Sequence, residues 1–204
     1  MIAYIQCTID DVRIIGANDL KSIFTWIDAS YAVNVDMRSQ TGGAISLGLG
    51  VLHAKCNKQK LNVKSSTEAE LVGASESILY NLWLILFMST QVYKIKDNVL
   101  YQDNKSTMLM LKNGRNSCTG NSRHIVIRHF SVKDRIDKRE LRTEYCPSSI
   151  MLADFFTKPL QGHLFKKFRD VIMGYVPISS LSYPSFLIKE RVGIHIEFYR
   201  NSES

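Results

Sequence analysis

Hydrophobic and polar positions alternate along several short stretches of the chain, and the first clear one runs from Phe24 to Ser30. It reads F-T-W-I-D-A-S, so Phe24, Trp26 and Asp28 would lie on one face of a strand. An aspartate therefore shares a strand face with two large aromatic side chains. Burying a lone carboxylate is unfavourable unless it is paired or binds a metal. Asp28 is thus either a residue that ends the strand at a turn or a candidate ligand.

The same alternation predicts three strands before the first long helix and two after it. The candidates are Phe24–Ser30, Ala44–Leu49, Val51–Lys58, Asn98–Asp103 and Leu141–Cys146. Gly42 and Gly43 precede the second of these and are typical of a hairpin or loop. The fourth candidate repeats the opening pattern, because Val99, Tyr101 and Asp103 share one face and the acid comes last.

A helical period over Ser66 to Met88 is the strongest prediction. Ser65 or Ser66 would cap this helix, with Glu68 in the capping-box position. Its apolar stripe recurs at helical spacing over Leu71, Ala74, Ile78, Leu82 and Ile85. Further helical stretches are predicted over 107–112, 124–136 and 150–173, the last interrupted at Pro159 and resuming at Gln161.

This order of elements predicts an α/β fold, a mixed five-stranded sheet of three antiparallel strands and two more, flanked by helices. We expect the strands that carry Asp28 and Asp103 to be adjacent near the sheet centre. The predicted domain covers 23–174. An upstream remnant or extra strand covers 1–22, and a tail over 175–204 is either disordered or adds an edge strand, with 193–199 as its one strand candidate.

Composition favours a folded intracellular protein with an anionic partner. The chain has 204 residues and a net charge of +7, and a basic balance favours polyanions. Its four cysteines form no C-x-x-C pair, so we expect free thiols. The N-terminus lacks the basic region of a signal peptide, and the longest apolar run, Leu82 to Met88, is too short to span a bilayer.

Four acidic positions could converge in such a sheet: Asp28, Asp103, Asp154 and either Glu68 or Glu70. Carboxylate oxygens suit Mg²⁺, and two such ions can activate a water and stabilise the leaving oxygen of a phosphodiester. Each acid also has an ordinary explanation. Asp103 fits a turn, Asp154 the start of a helix, Glu68 a cap, and Glu70 the flank of an amphipathic helix.

Six motifs in this order resemble the ribonuclease H domain of copia-type retrotransposon Pol polyproteins. They are T-W-I-D-A-S (25–30), M-R-S-Q-T-G-G (37–43), S-S-T-E-A-E-L (65–71), Y-Q-D-N-K-S (101–106), R-H-I (123–125) and L-A-D-F-F-T-K-P-L-Q-G (152–162). The resemblance covers roughly 24–174. It implies a ribonuclease H-like fold and Mg²⁺-dependent endonucleolytic cleavage of the RNA strand of an RNA–DNA hybrid.

The resemblance also assigns the catalytic, metal-binding acids to Asp28, Glu70, Asp103 and Asp154, with two Mg²⁺ ions, or Mn²⁺ in their place. Glu70 is chosen over Glu68 from the match of A-E-L, since helical periodicity does not separate them. Many cellular enzymes of this fold have a histidine between the last strand and the last helix. Here that loop, Pro147 to Ile150, contains none.

Positive charge is concentrated between Lys112 and Arg142, where nine Lys and Arg face three acids. Basic side chains near phosphates give salt-dependent affinity without sequence preference. The proposed nucleic-acid contacts are Asn104, Arg115, Arg123, Arg128 and Lys158. An ordinary solvated helix face is the alternative for each.

The expected partners are an RNA–DNA hybrid and the reverse transcriptase domain of the same polyprotein, whose Tyr-x-Asp-Asp motif the chain lacks. The expected location is a cytoplasmic virus-like particle or the nucleus, and the short apolar runs predict no membrane partner. Two alternatives stay open: a catalytically silent nucleic-acid-binding remnant, and a transposase or integrase. The latter is disfavoured because its acids follow the order Asp, Asp, Glu, whereas here the glutamate comes second.

Overall fold

The structure, a computed structural model, describes residues 6–113 and 132–181. The strands are β1 (Gly16–Ala17), β2 (Ser22–Ser30), β3 (Gln40–Ser46), β4 (Gly48–Leu49), β5 (His53–Lys58), β6 (Asp97–Gln102) and β7 (Arg142–Tyr145). The α-helices are α1 (Ser66–Thr90), α2 (Lys105–Asn113) and α3 (Gly162–Met173). Residues 132–137 are also helical, whereas 124–131 of that prediction lie outside the described residues.

Five strands form the main sheet in the order β5-β3-β2-β6-β7. β2 pairs antiparallel with β3, and β3 pairs antiparallel with β5. β6 and β7 are added in parallel on the other side of β2. The predicted mixed sheet is therefore confirmed, with β2 at its centre and β6 beside it. A separate two-stranded pair joins β1 to β4.

Alternation along β2 separates two cores, one on each side of the sheet. Phe24 and Trp26 pack with Tyr101 and Phe168 of α3 on one side. Ile27 packs on the other side, with the α1 stripe. The Trp26 and Tyr101 rings stack at 5.3 Å between centroids. Asp28 therefore lies next to a group of aromatic side chains that are buried from solvent.

The prediction of a hairpin or loop at Gly42-Gly43 is wrong, because both glycines lie inside β3. Gly42 pairs with Asp28, and Gly43 pairs with Ile27. A Cβ at Gly42 would lie 2.6 Å from Cγ2 of Thr157 and 3.0 Å from the backbone oxygen of Ala153. These glycines serve close packing on both faces of the strand instead of a turn.

Helix α1 begins as predicted. The Ser65 hydroxyl accepts a hydrogen bond from the Glu68 backbone N–H (3.2 Å), and the Glu68 carboxylate accepts one from the Lys64 N–H (2.7 Å). These bonds satisfy donors that an uncapped helix would leave free. Leu71 and Ala74 are buried, so the predicted stripe faces the sheet.

The C-terminal half of α1 also exposes apolar side chains, since Leu79, Trp83 and Leu86 are 62%, 63% and 65% exposed. By length and composition alone, α1 is long and apolar enough to cross a membrane, with a mean hydropathy of 1.5 over an 18-residue window. The run from Leu82 to Met88, judged alone, is too short to indicate a membrane-spanning length, because a few polar residues interrupt the apolar composition of the whole helix. Because 56% of that window is buried in the structure, α1 is equally well explained as a core helix.

A buried amide pair joins α1 to the central strands. Asn81 donates to Thr25 Oγ1 (3.0 Å) and Asn98 Oδ1 (2.8 Å), and Asn98 donates to Asn81 Oδ1 (2.8 Å) and the backbone oxygen of Glu140 (2.8 Å). Each of these bonds joins segments that are distant along the chain. The pair therefore fixes α1 over β2 and β6.

We predict that Asn81→Leu lowers the free energy of unfolding by about 2–3 kcal/mol, because Thr25 and Asn98 would each lose a buried partner. Denaturant unfolding measures this loss, with the exposed Asn57→Ala as the matched control. A loss below about 0.5 kcal/mol, the range of ordinary surface substitutions, would contradict a structural role for the amide pair.

Candidate active site

The register of two parallel strands brings Asp28 and Asp103 together. Trp26 of β2 pairs with Tyr101 of β6; Asp28 lies two residues further along β2, and Asp103 lies two residues after Tyr101, directly after the end of β6. Side chains two residues apart share a face of a strand. Both carboxylates therefore extend from the same edge of the sheet, on the aromatic side.

Asp154 reaches these two acids from a short turn. The prediction placed it at the start of the last helix, but it lies in a separate 3-10 turn, Leu152–Phe156, and α3 begins only at Gly162. Pro159 falls in the gap, where it cannot supply a helical N–H. One carboxylate oxygen each from Asp28, Asp103 and Asp154 lies within 4.8 Å of the other two. We call these three residues the aspartate cluster.

Glu70 lies beside the aspartate cluster and is held by neutral donors. Its Oε1 accepts from the Ala29 N–H (2.9 Å) and its Oε2 accepts from the Gln102 amide (3.1 Å). Glu68, two residues earlier, is at the helix cap. The two glutamates that periodicity left equivalent thus occupy different surroundings, and Glu70 is the one directed to the site.

Negative charge accumulates at the site, and the pKa values reflect it. Burial, followed by the charge of Asp28, raises the pKa of Glu70 well above its usual value. Burial and then Asp28 also raise the pKa of Asp103. Burial raises the pKa of Asp154 to about 6, with Asp28 and Asp103 adding to the effect and Lys158 opposing it. In the metal-free protein these acids are therefore harder to ionise than free carboxyl groups.

Two consecutive residues after the 3-10 turn contact the aspartate cluster. The Thr157 hydroxyl donates a hydrogen bond to Asp28 Oδ2, and the Thr157 backbone oxygen accepts one from Ser30 (3.2 Å). The Lys158 ammonium lies 2.8 Å from Asp154 Oδ1 and 3.6 Å from Asp28 Oδ1. Segment 157–158 therefore fixes the carboxylates of Asp28 and Asp154 from the side of the turn.

The loop that lacks a histidine contributes a serine. The Ser148 side chain lies close enough to Asp103 to lower the pKa of this acid, against the larger effect of burial. The loop from Pro147 to Ile150 includes a 3-10 turn over Ser148–Ile150. The loop between the last strand and the last helix, which contains no histidine, therefore places a hydroxyl near the site.

The donor set suits a hard divalent cation. All three cluster residues offer carboxylate oxygens, the ligands that Mg²⁺ prefers, and Asp28 and Asp154 are each only 3% exposed. Acids so placed repel each other unless a cation compensates them. The residues present thus fit a magnesium or manganese ion.

In the metal-free protein, the site acids should contribute less stability as the pH rises from about 4 to about 6. An acid whose pKa is higher in the folded state, about 6 against 3.8 for Asp154, stabilises the fold below the lower value. This contribution is lost as the pH rises through the folded-state pKa, and it amounts to at most about 3 kcal/mol. Glu70 and Asp103 act in the same direction.

Denaturant unfolding in a chelator across this pH range measures the effect. Asp154→Asn should flatten the pH dependence, because asparagine does not titrate. The exposed Asp137→Asn should leave it unchanged. The same pH dependence in wild type and Asp154→Asn between pH 4 and 6, without metal, would contradict the raised pKa of Asp154.

Two of the predicted nucleic-acid contacts lie at the site. The Asn104 side-chain oxygen accepts a hydrogen bond from the Thr107 N–H (3.1 Å) and so caps α2, directly after Asp103. Lys158 is engaged with the aspartate cluster. The other three residues, Arg115, Arg123 and Arg128, lie outside the described residues, and their assignment stays a prediction.

Ion pairs occupy much of the described basic stretch. The pairs are Lys133–Asp137, Lys138–Asp134, Arg135–Glu140 and Arg142–Asp97. The positive charge of each of these side chains is therefore already balanced by an acidic partner. The described part of this stretch therefore fits a solvated charged face, the alternative raised above.

Three contributors to the site could not be assigned from the sequence. Thr157 lies within the L-A-D-F-F-T-K-P-L-Q-G motif, but nothing in that motif indicates that its hydroxyl contacts Asp28. Gln102 precedes Asp103 and holds Glu70. Gly42 leaves room for the 3-10 turn that carries Asp154.

Comparison with known proteins points to one class. The chain is 26% identical over 175 residues to the retrovirus-related Pol polyprotein from transposon TNT 1-94 of Nicotiana tabacum. The aligned region covers 84% of this chain and 13% of that protein. It is 30% identical over 141 residues to the transposon Ty1-JR1 Gag-Pol polyprotein of Saccharomyces cerevisiae, covering 68% of this chain and 8% of that protein. The chain thus spans a small part of these relatives. No family model matches it.

Among solved structures, the LC11 ribonuclease H1 isolated from compost by a metagenomic approach overlaps with a TM-score of 0.47 at 13% identity. The overlap covers 67% of this chain and 92% of that one. The sheet order and the clustered acids define a ribonuclease H-like α/β fold. More particularly, the chain is homologous to a segment of retrotransposon Pol polyproteins, as its motifs predicted.

Proposed function

We propose that this chain is a ribonuclease H domain that hydrolyses the RNA strand of RNA–DNA hybrids endonucleolytically, with Mg²⁺ as its metal. The observation that carries the proposal is the aspartate cluster, in which three carboxylates lie within 4.8 Å of one another at one edge of the sheet. Homology to retrotransposon Pol polyproteins supports the choice of an RNA–DNA hybrid, the intermediate of reverse transcription.

Asp28, Asp103 and Asp154 would hold the metal, with Glu70 at the side of the cluster. Two bound ions would activate a water and stabilise the leaving oxygen of the phosphodiester. The water would lose a proton as its oxygen bonds to phosphorus, the bond to the leaving ribose oxygen would break, and that oxygen would take up a proton. Mn²⁺ has similar ligand preferences and should substitute for Mg²⁺.

The surrounding residues orient these acids before the substrate arrives. The Thr157 hydroxyl fixes the carboxylate of Asp28, whereas the Ala29 N–H and the Gln102 amide fix Glu70. Preorganised groups of this kind lower the cost of forming the transition state. Asn104 and Lys158, which flank the cluster, would contact the sugar–phosphate backbone.

The partners follow from the same proposal. An RNA–DNA hybrid is the substrate, and the reverse transcriptase domain of the same polyprotein is the neighbouring module. RNA would be distinguished from DNA through groove shape and the 2′-hydroxyl. The activity would take place inside the cell, in cytoplasmic particles or in the nucleus.

The test is a cleavage assay of the purified chain with an end-labelled RNA–DNA hybrid in Mg²⁺. We expect cleavage of the RNA strand within the hybrid, no cleavage of its DNA strand, and no cleavage in a chelator. Single-stranded RNA and double-stranded DNA of the same sequence are the matched substrate controls. Binding of the hybrid without cleavage under saturating Mg²⁺ would overturn the proposal in favour of a silent nucleic-acid-binding domain.

A further inference from the structure

The ammonium of Lys158 lies against two of the three carboxylates that would hold a metal. Its ammonium is 2.8 Å from Asp154 Oδ1 and 3.6 Å from Asp28 Oδ1, so it bridges two of the three cluster residues. Among the residues that the structure describes, it is the one basic side chain with an ion pair to this cluster. In the metal-free protein it therefore supplies the compensating positive charge.

A lysine ammonium and a divalent cation compete for the same carboxylate oxygens, so a bound metal weakens the ion pair of the lysine. Mg²⁺ binds carboxylate oxygen at ~2.0–2.1 Å and requires near-octahedral geometry, which leaves no room for an ammonium on the same lone pair. The two cations also repel each other at this distance. Binding of the metal must therefore weaken or break the contact between Lys158 and Asp154.

The local structure allows this displacement. The Lys158 backbone is anchored, because its N–H donates to the Asp154 backbone oxygen (2.9 Å). The Lys158 side chain is 38% exposed, against 4% for Asp154. A lysine ammonium on a flexible stem can turn into solvent without disturbing the backbone, whereas the aspartate cannot leave.

We infer that Lys158 is a built-in counter-ion that holds the aspartate cluster together in the metal-free protein and is displaced when the metal binds. The inference rests on the proposed function, since it assumes that the cluster binds Mg²⁺. Once released, the ammonium is beside the site and available to a phosphate, which lysine binds as a point charge. Lys158 is thus a positioning residue that sets how tightly the site binds metal.

Calorimetric titration of the metal-free full chain with Mg²⁺ alone tests this inference. Lys158→Met should bind Mg²⁺ on the order of ten-fold more tightly than wild type, because no ammonium has to be displaced. Lys158→Arg retains the cation and should bind with wild-type or weaker affinity. Lys133→Met removes the same charge from an exposed ion pair elsewhere and should change the affinity by less than about two-fold.

Thermal unfolding gives a second measurement that does not depend on the calorimetric titration. Without metal, Lys158→Met should melt at a lower temperature than wild type, because the carboxylates lose their counter-ion. On addition of Mg²⁺ its melting temperature should rise by more than that of wild type. A purely structural lysine would lower both melting temperatures alike.

The outcomes separate this inference from the proposed function. If wild type binds Mg²⁺ and cleaves the hybrid, but Lys158→Met binds Mg²⁺ equally or more weakly, the counter-ion role is overturned and the proposed function stands. If wild type neither binds Mg²⁺ nor cleaves the hybrid, both are overturned. Tighter binding by Lys158→Met, with Lys158→Arg at or below the wild-type affinity, supports the inference.

Discussion

Replacing Asp28 by asparagine should reduce cleavage of an RNA–DNA hybrid by at least about 100-fold, and Asp103→Asn should do the same. Each change removes one carboxylate oxygen that would bind the metal while keeping the shape of the side chain. A bound metal contributes several kcal/mol of transition-state stabilisation, and each 1.36 kcal/mol lost is a factor of about ten in rate. These are the largest effects that we expect from single substitutions.

Neither substitution should unfold the domain. The Thr157 hydroxyl can still donate to the side-chain oxygen of an asparagine at position 28. The substitution also removes one negative charge from a group of carboxylates that repel each other. We therefore expect the metal-free melting temperature of Asp28→Asn to equal or exceed that of wild type. The exposed Asp137→Asn controls for a simple change in charge. Activity that survives both Asp28→Asn and Asp103→Asn would refute the proposed mechanism.

Gly42→Ala should impair the site without altering any acid. The added Cβ would lie 2.6 Å from Thr157 Cγ2 and 3.0 Å from the Ala153 backbone oxygen. Because the second contact is with backbone, the turn from Leu152 to Phe156 must move, and Asp154 moves with it. We expect a stability loss of about 1–3 kcal/mol and a loss of cleavage of roughly 10- to 100-fold.

Gly43→Ala is the matched control for this prediction. A Cβ at Gly43 would lie 3.3 Å from the Ser77 hydroxyl on the opposite side of the sheet, away from the turn. This variant should lower stability less than Gly42→Ala and leave cleavage nearly unchanged. Equal effects of the two substitutions on cleavage would mean that the close approach of β3 to the turn does not position Asp154.

The sequence was sufficient for the parts of the fold that follow from periodicity. Alternation along Phe24 to Ser30 and Asn98 to Asp103 correctly gave two strands, each leading to an acid on the aromatic face. Their adjacency in the sheet followed from the order of elements. The capped helix at Ser65 was equally predictable, because its signal lies within a few consecutive residues.

What sequence reasoning missed depends on contacts between distant segments. Gly42-Gly43 has the composition of a turn, yet it lies in a strand because the turn around Asp154, more than a hundred residues later, packs against it. The engagement of Thr157 and Lys158 with the cluster has the same origin. Their motif was visible, but only the tertiary structure brings a lysine predicted to bind phosphate into contact with two carboxylates.

The proposed function depends most directly on whether the aspartate cluster binds a divalent metal. A crystal of the full chain soaked in Mn²⁺, measured for anomalous scattering, would locate the ion. We predict an anomalous peak within bonding distance of Asp28, Asp103 and Asp154, with the Lys158 ammonium withdrawn from Asp154. An empty cluster at saturating Mn²⁺, with Lys158 still 2.8 Å from Asp154 Oδ1, would contradict both claims.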